Sequence, residues 1–185
     1  MADADVLPFD FRNLYKIING YTDELINLTN DMRNNTKTEN EIIKNNYYGV
    51  VTDTALHLSM PKQKDEVPYL DFSSLQNALL NLQKATDSLW NKWNKIADAP
   101  NNADSFNKKL YQAEQQLLLT NGLPRRDWYK HAIYAPGFYT GYGVKTMPGI
   151  REAIEQRDWK QAQQQIILDA DVINKLANYL DQSAQ

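Results

Sequence analysis

The sequence contains no cysteine, which excludes a disulfide framework, a thiol nucleophile and a cysteine-ligated metal site. It has only two histidines, His57 and His131, and neither lies in a His-Glu-x-x-His or His-x-Glu arrangement. No run of about 18 apolar residues occurs, so no membrane-spanning helix is predicted. The net charge of -3 is accompanied by no basic stripe, so we expect no nucleic-acid partner.

Motifs of the common enzyme classes are missing as well. There is no Gly-x-Ser-x-Gly elbow, phosphate-binding loop or dinucleotide fingerprint. His131 has Asp127 four residues before it, but we expect this histidine to form hydrogen bonds within a loop rather than to bind a metal. Asp169 and Asp171 are predicted to be solvated on a helix surface. The residues therefore predict no catalytic residue, no metal site and no cofactor in this chain.

Apolar residues recur at steps of three and four in several long segments, which indicates amphipathic helices. Asp10 is a candidate N-cap for the first, which is predicted to end near Met32, and Asp71 or Ser73 for the second. Pro148 is predicted to start a short helix before the last one. The predicted helices cover about 11–32, 73–98, 103–120, 148–156 and 158–182. We predict a mainly α fold, a four-helix-bundle-like single domain spanning 4–183.

Two segments depart from this helical pattern. Residues 33–70 have no sustained period and are predicted to form an irregular insertion, with a short strand at Tyr47–Val51. Residues 122–147 are predicted to be an extended loop, since the window "HAIYAPGFYTGYGVKTMPGI" holds four of the seven glycines. We expect Trp128, Tyr129 and Tyr134 to pin this loop to the bundle. For Tyr139 and Tyr142, pinning and contact with a partner remain equal alternatives.

The string "GLPRRDWYKHAIYAPGFYTGYGVKTMPGIREAI" resembles the C-terminal segment of the glutamate carboxypeptidase II family. The family pattern there is Gly-Leu-Pro, Tyr-Arg-His, Tyr-Ala-Pro and Pro-Gly-Ile before a helix. The start "VLPFDFRNLYKIINGYTDEL" is similar to the opening of the same domain. The resemblance covers nearly all 185 residues and is weakest over 33–70. It identifies the chain as a transferrin receptor-like dimerisation domain, the C-terminal helical domain of a glutamate carboxypeptidase II-like zinc peptidase.

This resemblance implies a homodimer and a larger parent protein. In the parent, a protease-like domain would bind two zinc ions, and another domain would cover its cleft. The parent is expected to be a zinc-dependent carboxypeptidase-like hydrolase that binds a peptide substrate, while this chain alone is expected to be no enzyme. The parent is also expected to be membrane-anchored or in the secretory pathway, with this domain on the lumenal or extracellular side.

The resemblance also implies that a loop of this domain reaches the substrate pocket. In the family, a Lys-Tyr pair after Tyr-Ala-Pro grips the substrate's C-terminal glutamate. Alignment without a gap places that tyrosine at Tyr142 and the lysine at Gly141, and leaves Lys145 as a candidate replacement cation. Glycine offers only its backbone amide, and a charge-assisted bond is about twice as strong as a neutral one. A preference for glutamate therefore does not follow from the resemblance.

Two alternatives remain open at the level of sequence. The chain could be the equivalent domain of a non-enzymatic receptor or trafficking protein of the transferrin receptor branch, or a free-standing helical interaction module. The string from Tyr-Ala-Pro to Pro-Gly-Ile favours the peptidase parent. Zinc ligands elsewhere in the parent would decide between peptidase and receptor.

Overall fold

A computed structural model describes residues 5–51, 61–98, 103–141 and 143–185. His57 and Tyr142 lie outside the described residues. The elements are α1 Phe11–Lys44, α2 Tyr47–Val51, α3 Ser73–Asp98, α4 Ala103–Gln112, a 3-10 helix Ala113–Leu117, β1 Tyr134–Pro136, β2 Val144–Thr146, α5 Pro148–Glu155 and α6 Trp159–Ala184. The mainly α prediction is confirmed. In the described ranges, no helix is both long enough and apolar enough to cross a membrane.

Helices α3 and α6 form the largest helix–helix interface, and they run parallel. Their parallel direction follows from three hydrogen bonds whose residue numbers rise together along both helices: Asp71 with Gln163, Asn81 with Asn174, and Lys92 with Gln185. Helix α1 packs antiparallel to α3, with Tyr15 Oη donating to Gln83 Oε1. Because α3 and α6 point the same way, the chain between them must return along the bundle. That return path contains the extended loop predicted over 122–147.

Several helix ends agree with the sequence. The Asp10 side chain accepts a hydrogen bond from the Arg12 N–H and caps α1, as predicted. Asp71 Oδ1 accepts the Ser73 N–H at 2.8 Å at the start of α3, and hydrogen bonding from the Ser73 side chain, then from this N–H, lowers the pKa of Asp71. Asp158 Oδ1 accepts the Gln161 N–H at 3.0 Å and caps α6.

The predicted end of the first helix is wrong, because α1 continues from Met32 to Lys44. Its apolar stripe does stop, but polar side chains take over the packing. Thr36 is buried and accepts a hydrogen bond from Arg157, and Asn40 Oδ1 accepts the Lys64 N–H at 2.9 Å. The predicted insertion 33–70 therefore begins only after α1, and its part 61–70 lies along this polar face, through Lys64 at Asn40 and Val67 and Pro68 at Arg33.

Two further predictions about local structure are wrong. Tyr47–Val51 forms a helical turn, α2, after Asn46 adopts a left-handed conformation with φ 56°. The third predicted helix ends early, because the chain after the 3-10 helix pairs with the segment around residue 131 and does not continue as a helix. Leu118 is extended and forms an antiparallel bridge with His131, and the Leu119 N–H donates to the Lys130 carbonyl at 2.8 Å.

Asp169 corrects a prediction about surface charge. It is fully buried, whereas Asp171 is exposed as predicted. Neither carboxyl oxygen of Asp169 has a hydrogen-bond partner, and burial raises its pKa well above the usual value. The sequence signal was present, since Asp169 follows Ile166 by three residues and precedes Ile173 by four, within the buried stripe of α6.

Candidate substrate-pocket hairpin

The glycine-rich window folds into a small antiparallel hairpin. Tyr134 pairs with Thr146 at its base and Pro136 with Val144 near its tip. The Gly137 N–H donates to the Gly143 carbonyl at 2.8 Å, and the described residues of the turn are 137–141 and Gly143. The sequence predicted an extended loop here, and the hairpin gives that loop a defined shape.

The base of the hairpin is built into the core. Ile133 and Met147 are fully buried, and the Met147 N–H donates to the Ile133 carbonyl at 2.8 Å. The Tyr134 ring packs edge-on against Tyr21 of α1 with centroids 6.0 Å apart. Burial is the main cause that raises the pKa of Tyr134 to about 12. The prediction that Tyr134 pins the loop to the bundle is confirmed.

His131 also stabilises the start of the hairpin. Its Nδ1 accepts the N–H groups of Ile133 and Tyr134, both at 3.2 Å, so the neutral ring carries its proton on Nε2. Burial lowers the pKa of His131, and the neighbouring Glu114, 3.5 Å from Nε2, opposes that shift. The predicted role of His131 within a loop is confirmed. In the parts of the chain that the structure describes, no group of three or more His, Asp or Glu could hold a metal ion.

A buried ion pair connects the hairpin to α5. Arg126 Nη2 donates to both carboxylate oxygens of Glu152 at 2.9 Å, and the Arg126 side chain is only 3% exposed. Glu152 Oε1 also accepts the Phe138 N–H at 2.8 Å. One carboxylate thus neutralises a buried cation and fixes the backbone of the turn. Sequence reasoning missed this pair, although Glu152 stands between buried Ile150 and Ile154 in a short helix.

Exposed aromatic residues lie in the turn and in the segment before the hairpin. Trp128 is 70% exposed and Tyr139 is 72% exposed, while Tyr129 and Phe138 are less so. The prediction that Trp128 pins the loop is therefore wrong, whereas Tyr129 is only 38% exposed and its ring centre lies 5.9 Å from the guanidinium carbon of Arg126. Tyr139, like Trp128, lies on the accessible surface. Exposed Tyr, Trp and Arg side chains are typical of contact surfaces.

The structure locates two of the three predicted pocket residues. Gly141 is exposed in the turn with φ 60°, and a Cβ built there would meet no atom within 4 Å. Lys145 Nζ donates to both carboxylate oxygens of Glu155 at 2.6 and 2.7 Å, so its charge is already paired against α5. Tyr142, the residue at the tyrosine position of the resemblance, lies outside the described residues.

Helix α6 carries a second exposed apolar surface. Ile167 and Leu168 are adjacent and exposed, and Leu168 lines a 340 Å³ groove together with Leu118 and Val172. Asp171 and Lys175 form part of the same groove wall. Charged groups beside exposed leucines are the arrangement of a protein–protein contact with a polar rim.

Comparison with known proteins identifies the chain's family. The model of the transferrin receptor-like dimerisation domain matches residues 70–181. A probable glutamate carboxypeptidase of Arabidopsis thaliana is 40% identical over 68 residues, which are 33% of this chain and 10% of that protein. A probable glutamate carboxypeptidase of Arthroderma benhamiae is 29% identical over 92 residues, covering 48% and 12%. An inactive zinc metalloprotease of Schizosaccharomyces pombe is 33% identical over 63 residues, covering 34% and 8%.

The matched parts amount to about a tenth of the length of these relatives. The family match begins within the segment before α3 and ends near the end of α6, so it includes the parallel helix pair, the hairpin and α5. The chain belongs to the family of transferrin receptor-like dimerisation domains.

Proposed function

We propose that this domain supplies no catalytic residues and works by contact. It pairs with a second copy of itself, and it lends its hairpin to a peptide pocket on a protease-like domain of the same protein. The observation that carries the second role is the combination of an exposed, aromatic turn with a fully buried base. A loop positioned by a rigid scaffold is the usual source of binding residues.

The parent in this proposal is a glutamate carboxypeptidase-like zinc hydrolase. Its protease-like domain would hold two zinc ions, and a cleft-covering domain would complete the substrate site. The names of the relatives from Arabidopsis and Arthroderma support this assignment. The relative named as an inactive metalloprotease supports a second candidate, a parent that keeps the fold without hydrolysis. Zinc content of the purified full-length protein separates the two.

The pairing surface in this proposal is the exposed apolar face of α6 around Ile167 and Leu168. Complete burial of a leucine or isoleucine contributes about 1.5–3 kcal/mol, and these two side chains are about half exposed, so covering both favours a contact with another protein by roughly the value of one full burial. The partner is a second copy, because the family to which the chain belongs is a family of dimerisation domains.

The pocket role is tested by changing the two residues at the Lys-Tyr position. In the full-length protein, Tyr142→Phe should raise the KM for a peptide ending in glutamate roughly ten- to a hundredfold, since a hydrogen bond to a charged group contributes about 1.5–3 kcal/mol. Gly141→Lys should increase kcat/KM for that peptide relative to one ending in leucine. Its added cation has open space, although a side chain at this positive φ costs about 1–2 kcal/mol.

Gly141→Ala is the matched control, because it introduces the same backbone strain without the charge. It should leave the glutamate-to-leucine ratio unchanged. If Tyr142→Phe and Gly141→Lys both behave like the unmodified protein on both peptides, the hairpin does not line the pocket.

A further inference from the structure

Arg125 is held at the hairpin in an unusual way. Its guanidinium carbon lies 4.7 Å from the centre of the Phe138 ring and 5.9 Å from that of Tyr139. Nη2 donates to Gln156 Oε1 at 2.7 Å, and Nη1 donates to Tyr139 Oη at 3.3 Å. The backbone of Arg125 has φ 64°, which is uncommon for a residue with a side chain. Neutral partners at the C-terminal end of α5 and on the turn therefore fix an exposed cation in one orientation.

Among the described residues, Arg125 differs from its cationic neighbours in having no carboxylate partner. Across the described ranges, no carboxylate lies within ion-pairing distance of Arg125, whereas Arg126 is paired with Glu152 and Lys145 with Glu155. Gln156 and Tyr139 occupy one donor on each terminal nitrogen, and a guanidinium has five N–H donors. The donors that remain match the two oxygens of a carboxylate, which a planar guanidinium binds in a bidentate manner.

We propose that Arg125 is a specificity residue that binds a carboxylate of the peptide substrate at the hairpin. This inference rests on the proposed pocket role of the hairpin. The Phe138 and Tyr139 rings and the two hydrogen bonds hold the guanidinium in place before binding, so little side-chain freedom is lost when the ligand arrives. The carboxylate comes either from an acidic last side chain or from the peptide's C-terminus, and both present the same two oxygens.

The test measures equilibrium binding by the full-length protein, so it does not depend on hydrolysis. Three peptides carry an N-methylated last amide, which resists cleavage. One ends in glutamate, one in glutamine, and one in glutamate with an amidated C-terminus. If the acidic side chain is recognised, Arg125→Met should weaken binding of the two glutamate peptides roughly ten- to a hundredfold and leave the Kd of the glutamine peptide unchanged. If the C-terminus is recognised, it should weaken the two peptides with a free C-terminus by that factor and leave the Kd of the amidated peptide unchanged.

Two variants control for charge and geometry. Lys130→Met removes the same charge from an exposed residue of this segment, one that donates only to the Thr120 carbonyl, and should leave all three Kd values unchanged. Arg125→Lys keeps the charge but loses the planar fork, and should recover only part of the affinity.

Three results would overturn the inference. Arg125→Met could leave every Kd unchanged, weaken all three peptides equally, or weaken dimerisation of the full-length protein while peptide binding stays normal. In the last case, the carboxylate that Arg125 binds belongs to the other subunit of the dimer and not to the peptide. Tyr142→Phe distinguishes a failure of the Arg125 role from a failure of the proposed pocket role of the hairpin. A loss with Tyr142→Phe but none with Arg125→Met rejects the role of Arg125 alone, and no loss with either rejects the pocket hairpin.

Discussion

Replacing Glu152 by alanine is expected to lower the free energy of unfolding of this chain by about 3–5 kcal/mol. Arg126 would keep its charge, because a guanidinium does not deprotonate in a protein, and it would lie buried without a counter-charge. The Phe138 N–H would lose its acceptor as well. For a domain of this size, each kcal/mol corresponds to about 2–4 °C in Tm, so thermal unfolding should occur roughly 6–20 °C lower.

Two controls separate this pair from an ordinary surface interaction. Glu155→Ala breaks the more exposed pair with Lys145 and should cost about 1 kcal/mol or less. The double variant Arg126→Met with Glu152→Leu replaces the buried pair by apolar side chains, so it avoids the unpaired buried charge and should cost only about 1–3 kcal/mol, for the Phe138 N–H that again lacks its acceptor. Urea unfolding of the four proteins measures these differences. A cost for Glu152→Ala no larger than that for Glu155→Ala would contradict the buried-pair account.

Replacing Asp169 by leucine is expected to stabilise the domain at pH 7 by about 1–3 kcal/mol, because a buried carboxyl without a hydrogen-bond partner opposes folding. The effect should depend on pH. Burial raises the pKa of Asp169 in the folded state, so the folded state retains a proton that the unfolded state releases above its own pKa of about 3.9. The stability of the unmodified protein should therefore fall, through this group, as pH rises from that value to the raised folded pKa.

The comparison of pH profiles isolates Asp169. His131, whose pKa is lowered by burial, contributes a loss of stability at acidic pH to both proteins and cancels in the difference. Asp171→Asn on the exposed side of the same helix is the matched control and should change stability by less than about 0.5 kcal/mol. A difference between Asp169→Leu and the unmodified protein that is constant from pH 4 to 8 would mean that Asp169 does not titrate in this way.

The sequence was sufficient for elements whose packing is apolar. Helices α3 and α6 have stripes of leucine and isoleucine with capping aspartates, and both formed where the period placed them. The sequence was insufficient where polar contacts determine how far an element extends. Thr36 and Asn40 extend α1 through partners at Arg157 and Lys64, which are distant in sequence and carry no local signal.

The candidate site shows the same division. The concentration of glycine and tyrosine predicted an extended, exposed segment, and the hairpin lies there. The ion pair that holds its turn joins Arg126 to Glu152, residues that become neighbours only after the hairpin and α5 fold together. The exposure of Trp128 also depends on tertiary packing, because a large aromatic ring is compatible with both a core and a contact surface.

The proposed role of this domain is contact with other protein, first of all with a second copy of itself. Sedimentation equilibrium of the full-length protein tests it with Leu168→Glu on α6 and Ile17→Glu on α1, two side chains that are each 44% exposed. Leu168→Glu should raise the dimer Kd at least about tenfold, because it places a charge in the proposed pairing face, while Ile17→Glu should leave it unchanged. A protein that remains monomeric at all concentrations, or a dimer that Leu168→Glu does not weaken, would contradict the account.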